Sequence, residues 1–80
     1  METVKDKVER WILLADVLFK ENKRVYIKNI YGDYFFGDIV LIGETKITID
    51  CFSPEQRIGR NYIYWYDVSE FKEYIKEEGK

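Results

Sequence analysis

The hydrophobic period of this chain changes once, at Arg24, and that change sets the order of its elements. Before it, Val4, Val8, Trp11, Ile12, Ala15, Leu18 and Phe19 recur at helical spacing. Thr3 stands where an N-cap belongs, with Asp6 three residues later in a capping-box position. Asn22 and Lys23 end the pattern, so a helix is expected over Val4 to Glu21. Leu13, Leu14 and Val17 widen its apolar surface beyond a single stripe. Such a helix is either wrapped on two sides or used in an oligomer contact. After Arg24, β-branched and aromatic residues alternate between turn signals. Strands are expected over Arg24 to Tyr31, Tyr34 to Ile42, Lys46 to Phe52 and Tyr62 to Tyr66. Phe35, Ile39 and Leu41 are expected on one face of the second. Gly32-Asp33 and Gly43-Glu44 mark tight connections, and Ser53 to Asn61 reads as a loop.

Gly37 interrupts the second strand, and a glycine there marks a bulge or sharp bend of the kind a small barrel needs. The tail supports two readings. Asp67 and Glu70 have N-cap and N3 spacing, and Val68, Phe71, Tyr74 and Ile75 follow a helical period with Gly79 placed to cap it. A short strand or turn running into a helix is the favoured reading; a fifth strand over Val68 to Phe71 is the rival. The fold class expected is therefore α+β, mainly β: an amphipathic helix, then a small bent antiparallel SH3-like or OB-like barrel of four to five strands. All 80 residues form one domain. The helix occupies 1–22, the barrel 23–71, and a charged tail or short helix 72–80.

Composition narrows the function. The chain has no histidine and one cysteine, Cys51. The commonest general base and the commonest metal ligand are missing, and a structural zinc site has no ligand set. Cys51 ends an alternating strand and reads as a small buried hydrophobe. Asp33, Asp38, Glu44 and Asp50 show no spacing that singles out a catalytic pair. No phosphate-cradling loop or nucleophile elbow occurs. The expectation is a protein that is not an enzyme and uses no cofactor or metal. The longest apolar run, Trp11 to Phe19, is broken by Asp16, well short of a membrane span. With no basic region before an apolar stretch at the start and no disulfide, a cytoplasmic location without membrane contact is expected.

The strand region resembles the Sm-like family, most closely its bacterial Hfq branch. Val25, Ile27, Gly32, Phe35, Gly37 and Ile39 match the spacing of that family's first motif, in which a second glycine bends strand two. Ile42, Ile47 and Ile49 fall at its apolar positions. Tyr64, Trp65 and Tyr66 occupy the places of a tyrosine and two polar or basic residues in its second motif, with Val68 beginning the final strand. The likeness covers about Asn22 to Phe71. It implies a helix followed by five bent strands, self-association and RNA binding. The departures are specific. Asn29 replaces a core leucine, Gly43, Glu44 and Thr45 replace the RNA-pocket residues, and Trp65 and Tyr66 replace a lysine and a histidine that contact the nucleotide. The resemblance thus extends to the fold and not to the uridine pocket.

The densest candidate site is Tyr62-Ile63-Tyr64-Trp65-Tyr66. Alternation puts Tyr62, Tyr64 and Tyr66 on one face, and a barrel strand buries one face only. The tyrosines are either a stacking platform for bases or the filling of a sheet or subunit interface. Tyr26, Tyr31 and Tyr34 add further rings. Arg57 and Arg60 flank this strand, and Lys23, Arg24 and Lys28 extend a basic rim. Rings interleaved with arginines are what single-stranded RNA recognition uses. Arg57, Arg60, Tyr62, Tyr64, Tyr66 and Lys28 are therefore the expected RNA contacts. Net charge is −2, so such binding depends on local clustering of the 13 basic residues. The leading expectation is a self-associating, Sm-like binding module for single-stranded RNA. Its rivals are an SH3-like protein-interaction module and a structural subunit without nucleic-acid contact.

Overall fold

The computed structural model describes residues 3–52 and 59–75. Helix α1 runs Val4–Lys20. Its start is the expected capping box: Asp6 N donates to Thr3 Oγ1 at 3.1 Å and Thr3 N to an Asp6 carboxylate oxygen at 3.4 Å. Its end is a Schellman motif. Asn22 takes the left-handed conformation at φ +58, Lys23 N donates to Leu18 O, and Asn22 N to Phe19 O. The chain then enters five strands: β1 Arg24–Asn29, β2 Tyr34–Ile42, β3 Lys46–Cys51, β4 Gly59–Tyr64 and β5 Val68–Glu73. A 3-10 turn, Trp65–Asp67, joins the last two.

All pairings are antiparallel, in the order β4-β3-β2-β1-β5, so among the described residues β4 and β5 are the edge strands and the sheet is not closed. Strand β2 is shared: residues up to Asp38 pair with β1, and from Gly37 onward it pairs with β3. At the crossover, a Cβ on Gly37 would overlap the Asp50 carbonyl oxygen and lie 2.7 Å from its carbon. The missing side chain lets β3 fold back closely on β2. Inside the bend lie Val25, Ile27, Ile47, Ile49, Ile63 and Phe71, covered by Val8, Ala15 and Leu18 of α1. Trp65 sits at the centre, 1% exposed, with its ring 5.8 Å from Phe71 and its Nε1 donating to Gly43 O at 2.8 Å.

Three expectations are corrected. The tail is not helical where described: Val68–Glu73 is a strand, and Lys72 and Glu73 belong to the sheet rather than to a tail. The helical period arises from a bulge. Asn29 pairs with Val68 while Lys28 pairs with Glu70, so Ser69 is an extra residue. Val68 and Phe71 therefore both face inward although three apart. Ser69 Oγ donates to the Lys28 carbonyl, and Asp67 O accepts from Ile30 N rather than capping a helix. A second bulge, at Val40, turns Leu41 outward to 64% exposure and brings Ile42 opposite Ile47. Phe35, Ile39 and Leu41 thus do not share a face. Finally, β4 begins at Gly59 instead of Tyr62, and the residues after Tyr64 leave the strand. Of the expected loop, residues 53–58 lie outside the described residues, as do 76–80 of the tail.

Asn29, where the resembled family has a core leucine, has a local explanation. Its Oδ1 accepts from Tyr31 N and Asp33 N, both at 3.0 Å, and so builds the β1–β2 turn. Among the described residues, no helix is long and apolar enough to cross a membrane.

Candidate nucleic-acid interface

Alternation along each strand sorts the sheet into a buried face and an outer face, and the outer face holds most of the candidate residues. On β4, Ile63 is buried while Tyr62 and Tyr64 are 62% and 51% exposed. Lys46 stands directly across from Tyr64, and its Nζ lies 4.4 Å from the Tyr62 ring centre and 5.8 Å from that of Tyr64. This cation–aromatic strip borders the open β4 edge. Tyr66 is exposed too, but in the 3-10 turn rather than on the strand. Arg60 belongs to β4, paired with Asp50. Lys28 is on β1, between Tyr34 of β2 and Glu70 of β5, with β2 and β3 separating it from the tyrosines of β4. Arg57 lies outside the described residues.

A second ring cluster occupies the outer face of β1, β2 and β5. Phe36 stacks on Tyr74, with ring centres 5.0 Å apart and planes 6° from parallel. Phe52 meets Phe36 edge-on at 5.1 Å, and Tyr34 and Tyr26 continue the row. The Arg24 guanidinium lies 4.6 Å from the Phe52 ring centre and Lys72 Nζ 5.2 Å from that of Tyr26. These contacts are cation–π pairs of the kind that hold basic groups over exposed rings. Arg24 also pairs with Asp38 at 3.5 Å, Lys72 with Glu70 at 3.0 Å, and Lys23 with Glu73 at 3.9 Å.

Between the two clusters a charged row crosses four strands: Arg24, Asp38, Asp50, Arg60, each opposite the next. Cross-strand like charges are unfavourable; Arg24, 3.5 Å from the Asp38 carboxylate, offsets the Asp38–Asp50 repulsion at one end of the row, and Arg60 stands opposite Asp50 at the other. Among the described residues, no three His, Cys, Asp or Glu side chains converge where a metal ion could sit.

Of the expected contacts, Tyr62, Tyr64 and Arg60 are exposed on the outer face of β4; Phe36, Phe52, Tyr74, Lys46 and Lys72 join that face in the fold without having been singled out from the sequence. Phe36 was legible: it alternates with buried Phe35. Tyr74 was hidden by the helical reading of the tail. No protein-family model matches the chain, and no curated protein matches it in sequence.

Proposed function

We propose that this domain is a non-enzymatic, Sm-like binding module that self-associates and takes single-stranded RNA on the outer face of its sheet. The observation that carries this reading is the charge sorting. Among the outward strand residues of the sheet, five cations (Arg24, Lys28, Lys46, Arg60, Lys72) face three carboxylates (Asp38, Asp50, Glu70). The outer face is thus net positive on a chain of net charge −2. Aromatic rings from both clusters lie among those cations. Ring faces contribute stacking of about 1–3 kcal/mol per base, and the cations supply phosphate contacts.

The expected result of titrating labelled oligouridine and oligoadenine at low salt is a Kd on the order of 1–100 μM for both. The slope of log K against log salt should reflect about −0.7 per phosphate contacted. Lys46→Glu with Arg60→Glu and Lys28→Glu should abolish binding while leaving the circular dichroism spectrum unchanged. No binding to either strand overturns the RNA reading. It would favour the protein-interaction alternative, which draws on the pairing of Arg24 and Lys72 with neighbouring acids.

Self-association is supported by β4 and β5, the edge strands among the described residues, since edge strands are templates for further pairing. Leu13 and Val17, one turn apart on α1 and 68% and 50% exposed, add apolar surface. Sedimentation at micromolar concentration should give a mass above the 9.7 kDa of one chain. A constant monomer mass across a hundredfold dilution series would contradict it.

A further inference from the structure

Helix α1 has a second face, away from the sheet, whose pattern of charges a copy of the same helix complements. Val8, Ala15 and Leu18 are buried against the sheet. On the opposite side Asp6, Arg10, Leu13, Val17 and Lys20 recur at helical spacing, all exposed, with Asp16 half-exposed at the margin. Leu13 and Val17 form an apolar centre with charges at both ends. Counted outward from Leu13, those charges mirror with opposite sign. Three residues before it is Arg10 and three after it is Asp16; seven before it is Asp6 and seven after it is Lys20. Resting on the self-association proposed above, we propose that two copies of the chain pair through this face of α1, antiparallel and two-fold symmetric about Leu13.

In a two-fold contact, residue i of one copy meets residue j of the other and the reverse. Antiparallel pairing about Leu13 sets Arg10 against Asp16 and Asp6 against Lys20, each twice. Asp16 and Lys20 already pair within one helix at 3.0 Å, so four charges of alternating sign join at each end, and networks hold better than isolated surface pairs. The two Leu13 side chains meet on the axis. Val17 of each copy lies beside Leu13 of the other, opposite the aliphatic part of Glu9. Other arrangements are opposed by like charges. Parallel helices put Asp6 on Asp6 and Arg10 on Arg10, and an antiparallel pair centred between Leu13 and Val17 sets Arg10 against Lys20. The contact is confined to one helix, about 21 Å long between Asp6 and Lys20, and falls among weak interfaces of under about 1,200 Å². It uses the side of α1 away from the sheet, so the outer sheet face stays open in the pair.

Charge exchange in the full chain tests this. Sedimentation of the wild-type protein should show a monomer–dimer equilibrium with a Kd on the order of 10–100 μM. Arg10→Asp leaves acids at both facing places, and Asp16→Arg leaves bases at both. Each variant alone should dimerise about tenfold less tightly, while an equimolar mixture should recover wild-type association. Circular dichroism checks that helix content is kept. Leu13→Cys, on the axis, should become a disulfide-linked dimer under mild oxidation, whereas Lys5→Cys, off this face, should not; the native Cys51 is buried and does not compete. Variants that dimerise as tightly as wild type, a mixture no tighter than its components, or a Leu13→Cys protein that stays monomeric under oxidation would overturn the inference. Association of the wild type would then run through the edge strands. A wild-type protein that is monomeric throughout would overturn both the helix contact and the self-association it rests on.

Discussion

Gly37→Val is expected to leave the domain unfolded or nearly so at room temperature. The reason is local and geometric. Any Cβ at this position overlaps the Asp50 carbonyl and comes within 2.9 Å of Cys51 Cα, both backbone atoms of β3. A side chain could yield; a paired strand cannot yield without breaking the β2–β3 register from Gly37 to Ile42. Overpacking a core ordinarily costs about 1–3 kcal/mol. A clash with strand backbone belongs to the exceptional class of about 4 kcal/mol or more. An 80-residue chain holds roughly 4–12 kcal/mol in total, at 0.05–0.15 kcal/mol per residue. Gly32 and Gly59 provide the contrast. Both have left-handed φ, +92 and +101, and among the described residues nothing lies within 4 Å of the place an added methyl group would take. Alanine at either should cost about 1–2 kcal/mol from backbone strain alone. Thermal melts of the three variants check this, and a Gly37→Val protein melting within a few degrees of wild type would refute the bend.

Trp65→Ala should be the most damaging side-chain truncation. The indole is 1% exposed and touches Phe71, whose ring also lies 6.0 Å from that of Trp11 on the helix. Trp65 therefore couples the helix, β5 and, through its Nε1 bond to Gly43 O and its backbone bond to Thr45 O, the β2–β3 turn. Removing a buried tryptophan costs about 3–5 kcal/mol. Trp65→Phe keeps most of the apolar volume and loses the bond to Gly43, for about 1–3 kcal/mol. Urea unfolding of both variants separates the contributions. A Trp65→Ala loss below about 1 kcal/mol would show that the turn and helix are held independently of this ring.

The same residues show how far the sequence could be read. Thr3, Asp6 and Asn22 placed both ends of α1, because capping is local chemistry. Gly37 marked the bend, and β2 was bounded correctly, because glycine and alternation are also local. What was not legible was anything set by a bulge. Ser69 and Val40 are each an extra residue in one strand, and each shifts the inward period by one. The first made β5 look helical, and the second exchanged the faces of Leu41 and Ile42. The partner strand decides such shifts, and it is distant in the chain. At the candidate site, the outward direction of Tyr62 and Tyr64 followed once Ile63 and Trp65 were known to be inside. The clustering of Phe36, Phe52 and Tyr74 depended on a pairing between β1 and β5 that carries the strand past Phe71, where the favoured reading placed a helix and the rival strand ended. Lys28 and the tyrosine strip looked like one site in sequence and are separated by two strands in the fold.

The most direct test of the central claim is where on the molecule RNA is felt. With isotopically labelled protein, a titration with oligouridine should shift backbone and side-chain resonances of Arg24 to Lys28, Phe36 to Asp38, Lys46 to Asp50 and Arg60 to Tyr64. Those of Val8, Ala15 and Leu18 on the buried face of α1 should stay in place. Shifts confined to α1, or none at all at protein concentrations of roughly 100 μM where weak non-specific contacts normally register, would contradict an RNA-binding role for the outer sheet face.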